Sequence, residues 1–95
     1  MADRAGFHAF VRGRVQMVGF RFFTIMRAED RGINGWVRNC RDGSVEVEAV
    51  GPRGALDHFL QDLRGGPPSA RVTAVDVEWL SNPPDHRGFS VSHEF

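Results

Sequence analysis

The sequence predicts an α+β fold with two helices on one face of a predominantly antiparallel sheet, and three observations predict it. Apolar and polar residues alternate at period two in several separate stretches, as strands require. Two intervening stretches switch to helical spacing. The order is strand, helix, strand, strand, helix, strand, plus a short terminal strand, which is the ferredoxin-like split βαβ pattern. At 95 residues the chain is one domain, residues 1–95, with room for a single core.

Phe7 to Gly13 sets Phe7, Ala9 and Val11 against His8, Phe10 and Arg12, a strand with both faces at least partly covered. After a glycine-bounded loop, Phe20 to Arg31 carries Phe22, Ile25, Met26 and Glu29 at helical spacing and stops at Gly32, a C-terminal cap. Core packing accounts for Phe22 and Phe23 better than base stacking does. Ile33 to Asn39 alternates again, and Asp42-Gly43 signals a hairpin turn.

Ser44 to Val50 places Val45, Val47 and Ala49 on a core face and Glu46 and Glu48 on a solvated one. Pro52 suits a first helical position, and Leu56, Phe59, Leu60 and Leu63 form an apolar stripe that ends at Gly65-Gly66-Pro67-Pro68. Arg71 to Leu80 sets Thr73, Val75, Val77 and Trp79 against Asp76 and Glu78, a fourth strand. Phe89, Val91, His93 and Phe95 form a short fifth.

Composition narrows the functional classes. Formal net charge is zero, 12 arginines against 12 acidic residues with no lysine, so no global basic field draws the chain to nucleic acid or an anionic membrane. Cys40 is the only cysteine, which excludes an internal disulfide and a multi-thiolate metal site. His8, His58, His86 and His93 lack metal-ligand spacing, and Cys40 reads as a packed thiol. No charged-then-apolar leader opens the chain and no apolar run approaches the ~18 to 20 residues of a membrane span, so a soluble cytoplasmic protein is expected.

Gly13-Arg14-Val15-Gln16-Met17-Val18-Gly19-Phe20-Arg21 joins a strand to a helix through a loop that ends in arginine. A helix start leaves about four N–H groups without intrahelical partners, together with about half a positive charge. Arg21 in the first turn adds a planar fork of donors that matches phosphate oxygens two at a time. The loop thus reads as an anion cradle or, equally, as an ordinary turn with a solvated arginine. It is neither a Walker loop, which needs Gly-Lys-Ser/Thr, nor a Rossmann loop, which needs a third glycine.

In the split βαβ topology the first and second strands run parallel with the third between them. Their ends share one sheet edge at about 10 Å, from two steps of about 4.8 Å. That makes Arg21 and Asn39 neighbours. Asn39 also has a structural explanation as a turn former that bonds its own backbone.

Gly13 to Arg21, Gly35-Trp36-Val37-Arg38-Asn39 and Asp42-Gly43-Ser44-Val45-Glu46-Val47 closely resemble the signatures of the acylphosphatase family, and length and element order match over the whole chain. The resemblance implies metal-independent hydrolysis of the mixed anhydride between a carboxylic and a phosphoric acid, with no cofactor. It implies that Arg21 binds the phosphoryl oxygens with the N–H groups of Val15, Gln16, Met17, Val18, Gly19 and Phe20, and that Asn39 orients the attacking water. The partners implied are a small-molecule acyl phosphate and inorganic phosphate, with no nucleic acid or membrane, and a monomer is expected. One departure stands out. The family commonly has glycine where this chain has Met17, which costs on the order of 1 kcal/mol if φ is positive there; with negative φ the side chain roofs an apolar patch instead.

So sparse a site suits that chemistry, because phosphoryl transfer through a loose transition state needs positioning and charge stabilisation above all. A departing carboxylate has a conjugate acid of pKa about 4, whereas an alkoxide is roughly ten units more basic and needs a proton donor. The rival reading is a non-catalytic anion-binding module, or an RNA- or protein-interaction module of the same fold. RNA recognition needs aromatic and basic residues on the first and third strands, and the third here carries Glu46 and Glu48.

Overall fold

Val45, Val47 and Ala49 are fully buried, and they lie on the central strand of a five-stranded sheet. The computed structural model describes residues 3–93. Its elements are β1 (Arg4–Arg14), α1 (Phe20–Asp30), β2 (Asn34–Asn39), β3 (Val45–Pro52), α2 (Arg53–Gly65), β4 (Arg71–Trp79) and β5 (Phe89–Val91). The spatial order is β4-β1-β3-β2-β5. β3 is antiparallel to both β1 and β2, so those two run parallel on either side of it and end at the same edge.

α2 packs on β1, β3 and β4, and α1 on β2 and β5, so both helices cover one face. The core between the layers holds Phe7, Ala9 and Val11 from β1, Val37 from β2, and the stripe Leu56, Phe59, Leu60 and Leu63 from α2. At roughly 1.5–3 kcal/mol for each large apolar side chain fully buried, this shared face is the main favourable contribution to folding. No helix among the described residues is long and apolar enough to cross a membrane.

Five details differ from the sequence expectation. The buried face of α1 is Phe20, Thr24 and Ala28. Phe22 and Met26 are 68% and 46% exposed, and only Ile25 of the expected stripe is packed against the core. The end of the helix decides its face: Phe20 is wedged into the core, so i+4 and i+8 follow it inward, and Thr24 and Ala28 are small enough for a close approach. Thr24 donates its hydroxyl to the Phe20 carbonyl at 2.8 Å, which satisfies the buried group.

On β4, Arg12 pairs with Ala74 but Gly13 pairs with Val72, which leaves Thr73 as an extra bulged residue. The bulge turns Thr73 out and Val72 in. Gly13 has φ +122°, and a Cβ there would meet the Arg71 carbonyl oxygen at 2.1 Å, so only glycine fits where the strands pinch. Pro52 precedes α2 in extended conformation instead of occupying its first turn.

Glu46 is not on a solvated face. It is buried at 7% exposure among partners described below. β5 spans three residues and pairs in parallel with β2, Gly35 opposite Phe89 and Val37 opposite Val91. His93 lies beyond it, and Phe95, expected at its end, falls outside the described residues.

Candidate active site

The loop from β1 to α1 is pinned at both ends and in its middle. Val15 and Phe20, each 1% exposed, anchor it in the core. Between them the Gln16 side-chain amide donates to the carbonyls of Cys40 at 2.7 Å and Ser44 at 2.9 Å, which tie the loop to the β2–β3 hairpin. Met17 (φ 61°) and Gly19 (φ 80°) have positive φ, while Gln16, Val18 and Phe20 do not. Alternation of this kind turns successive N–H groups toward one side, the geometry of an anion-binding nest.

Gly19 is the N-cap of α1 in left-handed conformation, with no side-chain cap and no acidic residue in the first turn. The positive end of the helix is therefore left uncompensated by its own cap and first turn. Met17 is the one described non-glycine residue with positive φ, and its side chain is fully exposed. This decides the question that the sequence left open. The backbone adopts the glycine-like conformation, at a cost of about 1–2 kcal/mol.

A cavity of about 400 Å³ opens where this loop, α1 and the end of β2 meet. It is lined by Val15, Met17, Gly19, Phe20, Arg21 and Asn39 among others. Strand alternation brings Asn39 here: it shares the helix-covered side with Val37, two residues earlier. Its Oδ1 is buried without a hydrogen-bond partner, the only such side-chain atom among the described residues. An unpaired buried acceptor costs about 1–3 kcal/mol, so the oxygen holds a standing demand for a donor. Arg21 is exposed and enters no ion pair among the described residues.

Across the sheet, Arg38 is fully engaged. Its Nε donates to Glu46 Oε1 at 2.6 Å, and His8 Nε2 donates to Glu46 Oε2 at 2.5 Å. Cys40 Sγ lies 3.5 Å from the same carboxylate, and the guanidinium sits 5.6 Å from the centre of the Trp36 ring. Burial works to raise the Glu46 carboxyl pKa, but the hydrogen bonds from Arg38 and His8 outweigh it and hold the group below the usual carboxylate range. Burial pushes the Cys40 thiol up, which keeps it protonated. Ser44 donates both N–H and hydroxyl to Asp42 Oδ1, at 2.9 and 2.6 Å, which closes the hairpin and draws the Asp42 pKa down.

Of the residues singled out from sequence, Val15, Met17, Gly19, Phe20, Arg21 and Asn39 line one cavity. Gln16 and Val18 do not: the Gln16 side chain reaches the hairpin, and Val18 packs against the core. Phe22, Ile25, Val91 and His93 also line the cavity, and sequence reasoning missed them. Phe22 had a signal, its place next to Arg21, but its helical spacing read as core. Among the described residues no group of three or more His, Cys, Asp or Glu could hold a metal ion.

The profile of the family described as Acylphosphatase matches residues 7–91. The chain belongs to the acylphosphatase family. An acylphosphatase of Salinibacter ruber is 48% identical over 83 residues, 87% of each protein. One from Roseiflexus sp. is 44% identical over 91 residues, 96% of this chain and 98% of the relative. The crystal structure of acylphosphatase from Bacillus subtilis superposes with a TM-score of 0.91 at 39% identity, over 94% of this chain and 99% of that one. Two helices on a mixed five-stranded sheet are thus the acylphosphatase fold. The matched stretch includes both Arg21 and Asn39, whereas His93 lies past its end.

Proposed function

We propose that this chain hydrolyses acyl phosphates to carboxylate and inorganic phosphate without a metal ion. Arg21 and the N–H groups of residues 15–20 bind the phosphoryl oxygens, and Asn39 orients the attacking water. The observation that carries this reading is the buried, unpartnered Asn39 Oδ1 on the same cavity as Arg21. A carboxamide oxygen accepts only, so a water that donates to it turns a lone pair outward. That lone pair faces the phosphorus once the nest and the guanidinium hold the phosphoryl group.

The water oxygen forms a bond to phosphorus while the bond from phosphorus to the acyl oxygen breaks, and the carboxylate leaves with the electron pair. Because its conjugate acid has a pKa of about 4, it needs no proton from the protein. The proton of the water passes to a phosphoryl oxygen of the substrate. Preorganised donors aimed at the developing charge supply the rate enhancement. Glu46 and Glu48 on β3 weigh against the RNA-binding alternative.

Benzoyl phosphate hydrolysis, followed by absorbance in the presence of EDTA, tests the reading. Turnover is expected to persist with the chelator. Asn39→Ala is expected to lose about 10² to 10³ in kcat while inorganic phosphate still inhibits. Wild-type-like turnover by Asn39→Ala would remove the water-positioning role, and loss of activity in EDTA would remove the metal-free mechanism.

A further inference from the structure

We propose that the acyl group of the substrate is apolar, a straight-chain or aromatic monocarboxylic acyl group seated against Met17, Phe22, Ile25 and Val91. This rests on the hydrolase reading above and names the substrate class of the same site. The two most exposed large hydrophobic side chains among the described residues, Met17 at 100% and Phe22 at 68%, both line the cavity that holds Arg21 and Asn39. Neither is explained by the core. Exposed apolar side chains that converge on one concavity mark a binding surface.

Size points the same way. A water takes about 30 Å³, so the cavity of about 400 Å³ has room for more than a phosphoryl group and one water. The remainder is walled by Met17, Phe22, Ile25 and Val91. The polar lining is Arg21, Asn39 and His93, and among the described residues no carboxylate lines the cavity to pair the ammonium of an amino-acyl group. A charged tail would therefore lose its hydration against apolar side chains without compensation.

Phosphonate isosteres of acyl phosphates, with a methylene in place of the bridging oxygen, separate binding from turnover. The probes are acetonylphosphonate and homologues lengthened one methylene at a time, titrated calorimetrically, with one homologue ending in an ammonium group. A fully buried methylene gives about fourfold in affinity, and a cavity open on one side realises about half of that on a logarithmic scale. The dissociation constant is expected to fall about twofold per carbon, with the same slope in kcat/KM for the matching acyl phosphates. Within that alkyl series the leaving carboxylates have closely similar basicity, so the slope reports recognition.

Phe22→Ser is expected to flatten the slope to about 1.3-fold per carbon. Phe22 is largely exposed, so the fold should tolerate the change, and the slope is internal to each protein whatever happens to overall affinity. A flat series in the wild type, equal binding of the ammonium-ended homologue, or a slope unchanged in Phe22→Ser would each overturn the apolar subsite. Rising affinity without hydrolysis of any acyl phosphate would overturn the hydrolase reading and leave the subsite standing. No binding of any phosphonate would overturn both.

Discussion

Arg38 and Asn39 are chain neighbours that point to opposite faces of the sheet, and the two faces treat polar groups in opposite ways. On the helix-free face Arg38 meets Glu46, and Glu46 also meets His8, so charge is matched where it is buried. On the helix side, among the described residues, Asn39 Oδ1 has no donor and Arg21 on the same cavity has no carboxylate partner. The first arrangement holds the sheet together. The second withholds satisfaction that the chain could have supplied internally, and a fold tolerates such departures where a ligand completes them.

The largest break in this contrast is Arg21→Ala. Loss of a two-pronged charge-assisted contact is expected to lower kcat/KM on benzoyl phosphate by about 10³ or more and to weaken phosphate inhibition as well, with little change in Tm. An Arg21→Ala protein that keeps its phosphate affinity would mean that the loop amides bind alone.

Glu46→Gln probes the satisfied face. Stability is expected to fall by about 2 kcal/mol in urea titration, below the usual cost of breaking a buried pair because the Arg38 flank meets solvent. The sign of the pH dependence follows from the depressed carboxyl. Its contribution is fully present above the ordinary carboxyl pKa of the unfolded chain and is lost as pH falls through the lower folded-state pKa. Wild type and Glu46→Gln are therefore expected to differ at neutral pH and converge in acid, and a constant gap down to low pH would contradict the ionised pair.

Gln16 joins the two regions, since its amide ties the loop before α1 to the hairpin that carries Asn39. Removing both bonds in Gln16→Leu is expected to lower kcat about tenfold, a loss of about 1.4 kcal/mol. Unchanged kcat would show that Val15 and Phe20 hold the loop by themselves. The smallest effect expected is that of Met17→Gly. Relief of the left-handed conformation is offset by the greater freedom of glycine in the unfolded chain, which leaves a gain of about 0.5 kcal/mol in thermal unfolding.

Much of this was legible in the residues. The α2 stripe, the alternation of β3 and the Asp42-Gly43 turn each encode an element through contacts a few residues apart, and all three elements formed. The meeting of Arg21 and Asn39 at one cavity also followed, because parallel strands flanking a third must end at one edge. The face of α1 did not follow. Phe22, Ile25 and Met26 have the spacing of a core stripe, but Phe20 is the residue wedged into the core, and a helix has only one rotation once its end is pinned. Likewise Glu46 alternates like a solvent-facing residue, and only cross-strand neighbours from β1 and β2 bury it.

Sequence alone determined the number, type and order of the elements, because propensity, capping and periodicity act between residues close along the chain. It also determined which two polar side chains reach a common edge. Tertiary structure decided which helix face turns inward, which glutamate is buried, that Met17 takes the left-handed conformation, and that Phe22 lines the cavity instead of the core. Those outcomes depend on register, on a bulge and on how closely layers approach, quantities set by residues far apart in sequence that meet only once the sheet is assembled.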